Sequence, residues 1–110
     1  MELNELYQIA KQYEKLGQEH TNIDYSQQMH KDIDICAHLH HEVSELWDAI
    51  RKQKPKEDII DELCDILGVW MVAVYKVEEH LGESIDVNEL VRFTADIVRG
   101  VAKRKFNVEI

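Results

Sequence analysis

Apolar residues recur every three or four positions through most of the chain, a spacing that places them on one face of an α-helix. The first segment carries them at Leu3, Leu6, Ile9, Tyr13 and Leu16. Gly17 is expected to end this helix, and residues 18–29, which have no such period, are expected to form a loop. A second helix is predicted over residues 30–53, before Pro55. Its inward stripe is formed by Ile33, Cys36, Ala37, Val43, Leu46, Trp47 and Ile50.

The third helix is predicted to start near Lys56, after Pro55, and to run to about His80, where Gly82 closes it. Residues 69–75 in this helix are apolar on every side. A helix of that kind must be covered on all sides. In so small a chain, a partner subunit is the most economical cover.

The fourth helix is predicted to begin after Asp86, which forms a capping box with Glu89 three residues later. Its apolar positions are Val87, Leu90, Val91, Ile97, Val98 and Val101. No strand pattern and no internal repeat is visible. The predicted fold is therefore all-α, a four-helix bundle with a central antiparallel helix pair that oligomerises through apolar helix faces.

Length and charge narrow the class of protein. The chain has 110 residues, and residues 1–110 are expected to form one domain around one modest core. The formal net charge of −9 argues against binding to a nucleic-acid polymer, because such binding needs a basic face that displaces counterions. The acidic surplus suits a chain that gathers carboxylates, either on a solvated surface or around cations.

The cysteines and the longest apolar run bear on the compartment. Cys36 and Cys64 fall inside apolar helical patterns without CxxC spacing, which predicts buried thiols in a reducing cytoplasm. The first residues mix charges from position 2 onward and do not resemble a signal peptide. The apolar run at 66–75 is too short to span a bilayer. A soluble, cytoplasmic protein without a membrane partner is expected.

Two pairs of carboxylates have helical spacing. Glu42 and Glu45 lie three residues apart in the second helix, so they share a face. Glu62 and Asp65 repeat that spacing in the third helix. Because the linker is short, the two helices should lie antiparallel and adjacent. Glu42 then lies level with Asp65, and Glu45 lies level with Glu62.

Four carboxylates that face one another cannot all stay ionised without a cation. Ligand sets made only of oxygen suit Mg²⁺, or Mn²⁺ in its place. The alternative is that these acidic residues simply face water, which is the better interpretation for any single pair in a chain with 22 acidic residues. Two pairs at matched height favour a metal site formed by Glu42, Glu45, Glu62 and Asp65.

The segments HEVSELWDAI, at 41–50, and DELCDILGVW, at 61–70, resemble the MazG-like all-α nucleoside triphosphate pyrophosphohydrolase superfamily. Its hallmark is an ExxE pair on one helix followed, after a spacer, by an ExxD pair on the next. Here these pairs are Glu42 with Glu45, and Glu62 with Asp65. Many members carry glutamate at the position of His41.

The resemblance implies a Mg²⁺-dependent hydrolase that cleaves the α–β phosphate bond of a nucleoside or deoxynucleoside triphosphate. The products would be the monophosphate and pyrophosphate, and the role would be nucleotide-pool house-cleaning. The four carboxylates would hold the metal ions. Glu42 or Glu45 would position the attacking water or accept its proton. The apolar helix faces predict self-association, as a homodimer or homotetramer.

Four residues are candidates for contacts with the nucleotide. His38 lies one turn before Glu42, on the carboxylate face. Trp47 lies on an apolar stripe, where core or interface packing is the common role and stacking on a base is the alternative. Lys103 and Asn107 match a lysine and an asparagine that superfamily members carry near the end of the last helix; Ile110 stands where an arginine often follows. The alternative for Lys103 is complementation of the helix dipole.

Other site chemistries fail on spacing. The sequence HEVSE lacks the second histidine of a HExxH zinc motif, and no ExxH pair of a di-iron site is present. Two further functions remain open. One is a non-catalytic, oligomeric nucleotide-sensing or assembly module, and the other is an enzyme like phosphoribosyl-ATP pyrophosphohydrolase.

Overall fold

The computed structural model describes residues 2–20 and 28–110, and in residues 28–33 it describes only the helical backbone. Four helices account for most of this part of the chain. They are α1 (Leu3–Glu19), α2 (Gln28–Arg51), α3 (Lys56–Leu81) and α4 (Val87–Phe106). The described residues contain no strand, so the prediction of an all-α chain with four helices is confirmed.

The first helix runs past its predicted end. Gly17 lies inside its last turn, and the backbone N–H of His20 donates to the carbonyl oxygens of Leu16 and Gly17. Glycine had suggested an end because it often supplies the left-handed residue after a helix, but Gly17 does not have a positive φ. Of the predicted loop, residues 18 and 19 belong to α1 and residues 28 and 29 to α2. Residues 21–27 lie outside the described residues.

The second helix ends at Arg51, before its predicted end at residue 53. Gln53 adopts a left-handed conformation, with φ 54°. Its N–H donates to Ile50 O at 3.0 Å, and the N–H of Lys54 donates to Ala49 O at 3.1 Å. These two bonds form a Schellman motif, which satisfies carbonyl groups of the last turn. The left-handed residue of this motif is usually glycine, but here it is Gln53.

The C-terminal end of α3 and the start of α4 lie within one residue of their predicted positions. Gly82 has φ 71° and donates its N–H to Glu78 O at 2.9 Å, which closes α3. The carboxylate of Asp86 accepts the N–H of Asn88 at 2.9 Å and caps α4. Both devices satisfy backbone groups that have no partner within the helix.

The core surrounds the second half of α3. The buried apolar residues of this cluster are Tyr7, Ala10, Ile35, Met71, Val72, Val74, Tyr75 and Val87. They come from all four helices or their ends. The apolar run at 69–75 is therefore mostly covered within the chain, although Val69, Trp70 and Ala73 are only half-buried.

A carboxylate fastens α1 and the start of α4 to α3. Glu78 accepts the hydroxyl of Tyr7 at 2.7 Å and the backbone N–H of Ile85 at 2.8 Å, and Lys11 lies 3.5 Å away. Burial opposes ionisation of Glu78, but the hydrogen bonds from Ile85 and Tyr7 and the charge of Lys11 hold its pKa below the usual range. A second ion pair joins Lys76, 1% exposed, to Glu14 at 2.8 Å.

Much of the predicted inward stripe of α2 remains exposed, so that part of the core prediction is wrong for the single chain. Val43, Trp47 and Ile50 are 50%, 63% and 47% exposed, whereas Ile35 and Ala49 are buried. The reason is that the backbone of α2 lies close to α3 alone among the described helices. No other described helix lies close enough to α2 to cover Val43, Trp47 and Ile50.

The same holds for the cysteines and for α4. Cys36 and Cys64 are exposed, so the prediction of buried thiols is wrong for this chain by itself. On α4, Val87 is buried but Ile97 and Val98 are 66% and 52% exposed, because α1 is the one described helix whose backbone lies close to that of α4. None of the described helices has an apolar stretch long enough to cross a membrane.

The Tyr7–Glu78 bond generates a stability prediction. Tyr7→Phe should lower the free energy of unfolding by about 1–3 kcal/mol, because it removes a hydrogen bond to a carboxylate that is partly buried. Urea denaturation measures the loss. The matched control is Tyr13→Phe, at a position 73% exposed, which should change stability little. Equal losses in the two variants would show that this bond does not fasten α1.

Candidate metal centre

Two helices each supply two carboxylates to one cluster. Glu42 and Glu45 come from α2, and Glu62 and Asp65 come from α3. One oxygen from each residue can be chosen so that all four lie within 4.8 Å of one another. The three-residue spacing puts each pair on one helix face, and the tight turn at 52–55 brings the two faces together. The structure therefore gathers the four residues that the spacing singled out.

Two oxygens of the cluster are buried without a hydrogen-bond partner. They are Oε2 of Glu42 and Oε2 of Glu62, which accept no hydrogen bond from any described residue. The whole Glu42 side chain is 12% exposed, whereas that of Glu45 is 43% exposed. A buried carboxylate oxygen without a partner is unfavourable. A cation held by the four carboxylates would satisfy both oxygens, so the residues present fit a metal ion.

The charges of the cluster act on Glu62. Burial raises the pKa of Glu62, and the negative charges of Glu45, Asp65 and Glu42 raise it further. Lys54 opposes the shift, but more weakly. The folded chain therefore disfavours the ionised form of Glu62, which is the form that binds a metal.

The histidines lie beside the carboxylates. Nε2 of His38 is 3.4 Å from Oε1 of Glu42, and Nε2 of His41 is 2.9 Å from Oε1 of Glu45. Each pair has i, i+4 spacing on α2, and both histidine side chains are more than half exposed. These contacts orient carboxylate oxygens from outside the cluster.

A pocket of about 440 Å³ adjoins the cluster. Its lining residues are Leu6, Ile9, Ala10 and Tyr13 of α1, Glu42 of α2, and Cys64, Asp65, Gly68 and Val72 of α3. Two of the cluster carboxylates, Glu42 and Asp65, thus form part of its wall. The sequence did not predict this pocket. The α1 residues have the spacing of a core stripe, and that spacing does not show which helix they face.

The other predicted contacts are not gathered at the cluster. Trp47 is 63% exposed and does not line the pocket beside the carboxylates. Nζ of Lys103 lies 3.3 Å from Oε1 of Glu109. Asn107 ends α4 in a left-handed conformation and donates its N–H to Lys103 O. The binding roles of Trp47, Lys103 and Asn107 stay predictions.

Comparison with known families identifies the family of the chain. A family model for the MazG nucleotide pyrophosphohydrolase domain matches residues 28–99, more than half of the chain. The chain belongs to the MazG family. The resemblance carried by the two carboxylate pairs is thereby confirmed. Searches of curated proteins and of solved structures gave no match to the chain.

The MazG match contains all four carboxylates of the cluster. It does not contain the α1 wall of the pocket, from Leu6 to Tyr13, or the predicted contacts Lys103 and Asn107. The family match therefore covers the carboxylate cluster, whereas the pocket wall on α1 lies outside it.

The raised pKa of Glu62 gives a prediction for the metal-free protein. A carboxylate whose pKa is higher in the folded than in the unfolded chain disfavours folding at pH 7, where it is ionised in both. Glu62→Gln should therefore raise the melting temperature measured in a metal chelator. The gain should shrink as the pH falls to about 4, where glutamate takes up its proton anyway.

Asp61→Asn is the matched control, since Asp61 is an exposed neighbour on α3 outside the cluster. It should leave the melting temperature nearly unchanged. If Glu62→Gln is less stable than the parent at pH 7 without metal, ionised Glu62 does not disfavour folding and the prediction is wrong.

Proposed function

We propose that the chain is a Mg²⁺-dependent pyrophosphohydrolase of nucleoside or deoxynucleoside triphosphates. It cleaves the α–β phosphate bond and releases the monophosphate and pyrophosphate, a reaction suited to clearing unwanted nucleotides from the pool. Membership of the MazG family supports the reaction class. The observation that carries the proposal is the pair of buried, unpartnered oxygens on Glu42 and Glu62 within a cluster of four carboxylates.

The donor set supports Mg²⁺, with Mn²⁺ as a substitute. All four groups offer carboxylate oxygens, the ligands that both ions prefer, and the cluster contains no thiolate or imidazole. When bound, such an ion neutralises phosphate charge and lowers the pKa of a coordinated water. Without cations, a triphosphate would be repelled by the carboxylates of Glu42, Glu45, Glu62 and Asp65.

The roles of the side chains follow from their exposure and contacts. Glu42 and Glu45 are the candidates to hold the attacking water or accept its proton, and the larger exposure of Glu45 favours it for the proton transfer. His38 and His41 orient these two carboxylates. His38 is also proposed to contact the nucleotide, as are Trp47 and, on the phosphates, Lys103 and Asn107.

Self-association is part of the proposal. The chain exposes 8307 Å², whereas a folded monomer of 12.9 kDa exposes roughly 6,300 Å². The excess is comparable to the surface that subunits bury in permanent complexes. Its large apolar contributors include Trp47, Phe93 and Ile97, which are 63%, 57% and 66% exposed. We therefore propose a homodimer or homotetramer in which a four-helix bundle with an antiparallel α2–α3 pair is covered by a second copy.

Pyrophosphate release tests the reaction. Purified protein with Mg²⁺ is assayed on ribo- and deoxyribonucleoside triphosphates, modified nucleotides and phosphoribosyl-ATP. Glu42→Gln and Asp65→Asn should lower turnover more than about 100-fold. Mutation of residues that only orient metal ligands already lowers metal affinity or activity 10–100-fold. Both should also abolish the rise in melting temperature caused by Mg²⁺ or Mn²⁺, whereas Asp61→Asn should do neither.

A metal response that survives both substitutions would disprove the assignment of the metal site. A normal metal response without pyrophosphate release from any substrate would favour the non-catalytic nucleotide-sensing module. Release from phosphoribosyl-ATP alone would favour the related enzyme class.

Lys103 gives a separate prediction, because its neighbour Lys105 has the same charge at the same helix end. If Lys103 contacts phosphate, Lys103→Ala should raise KM about tenfold, the effect of losing roughly 1.4 kcal/mol from a charge-assisted hydrogen bond. Lys105→Ala should change KM little, and both variants should keep the metal-induced rise in melting temperature. Equal effects of the two variants would indicate that Lys103 only complements the helix dipole.

A further inference from the structure

The pocket between α1 and α3 opens directly onto the carboxylate cluster. Glu42 and Asp65 belong to the cluster and also line the pocket. A ligand whose phosphates are held at the carboxylates therefore has the pocket beside it. The volume of about 440 Å³ lies in the range of small-molecule sites.

Gly68 lines this pocket from the interior of α3. Its φ is not positive, so its backbone conformation does not require glycine. A Cβ at this position would meet no atom within 4 Å, so close packing does not require glycine either. Glycine inside a helix costs about 1 kcal/mol relative to alanine. What the missing side chain does provide is open space in the pocket.

The lining specifies the kind of group that fits. Apart from the two carboxylates, the polar side-chain groups of the pocket are the hydroxyl of Tyr13 and the thiol of Cys64. The remaining lining is apolar, and Tyr13 adds an aromatic side chain that is 73% exposed. The flat face of an aromatic ring suits this lining, whereas a charged phosphate would lose hydrogen bonds to water there.

We propose that this pocket holds the base of the nucleotide and that Gly68 sets the bulk of the base that is accepted. The inference rests on the proposed function, since the phosphates must lie at the carboxylates for the base to reach the pocket. Because the lining offers few hydrogen-bond partners, the pocket selects bases by size more than by their hydrogen-bonding edges.

A graded series at position 68 tests this. Gly68→Ala and Gly68→Val add one and three carbon atoms to the pocket wall, and Gly68→Ala should also stabilise α3. Gly100→Ala is the matched control, a glycine inside α4 whose added Cβ likewise meets nothing within 4 Å. The probes are α,β-methylene analogues of UTP and GTP, which resist cleavage of the α–β bond, and tripolyphosphate, which has no base. Calorimetry measures their binding with Mg²⁺.

Affinity for the nucleotide analogues should fall as bulk at position 68 grows, by at least about tenfold in Gly68→Val for the larger base that the parent binds. Binding of tripolyphosphate and the melting-temperature rise caused by Mg²⁺ should stay unchanged, as should every property of Gly100→Ala. Equal losses for the analogues and tripolyphosphate, or no loss for any of them, would overturn the inference.

The outcomes separate this inference from the proposed function. Size-dependent analogue binding in a protein that releases no pyrophosphate supports the pocket and contradicts the enzyme. If the protein releases pyrophosphate but substitutions at position 68 do not change its base preference, the enzyme is supported and the role of the pocket is contradicted. A Gly68→Val variant with a smaller oligomeric mass would show that a second copy fills the pocket, which also overturns the inference. The inference is also overturned if the parent protein binds neither analogue.

Discussion

Mutual repulsion among Glu42, Glu45, Glu62 and Asp65 is the constraint against which α2 and α3 must be held together. Their oxygens converge to within 4.8 Å, and burial together with the neighbouring negative charges raises the pKa of Glu62. The Schellman turn that ends α2 brings the two faces together over a short connection. A cation held by the four carboxylates would offset this repulsion, which would couple its binding to the stability of the helix pair.

The stabilising contacts lie at the other end of α3. Its first half carries the carboxylates, and its second half supplies Met71, Val72, Val74 and Tyr75 to the core. Glu78, near the same end, joins α1 and the start of α4 to α3 through Tyr7 and Ile85. The division along one helix keeps the unfavourable charges away from the packed region. It also makes α1 a shared element, since Tyr7 and Ala10 join the core while Leu6, Ile9, Ala10 and Tyr13 form the pocket wall.

Sequence patterns predicted most of the helices because their signals are local. The capping carboxylate of Asp86 and the left-handed Gly82 act on groups within one or two turns. The ends at Glu19 and Arg51 were harder, since Gly17 does not have a positive φ and Gln53 adopts one without being glycine. The α2 stripe failed for a different reason. Periodicity shows which residues share a face, but among the described helices the backbone of α2 lies close to α3 alone, so Trp47 and Ile50 remain exposed.

The sequence by itself determined the helical class, the family resemblance and the four carboxylates, because equal spacing on either side of a short turn has one geometric consequence for a helix pair. Only the tertiary structure decided that oxygens of Glu42 and Glu62 are buried without partners and that α1 closes a pocket beside them. It also decided that Gly68 faces this pocket, where a side chain would meet open space. These properties depend on which helix lies opposite each face, and that is set by contacts between residues far apart in the chain.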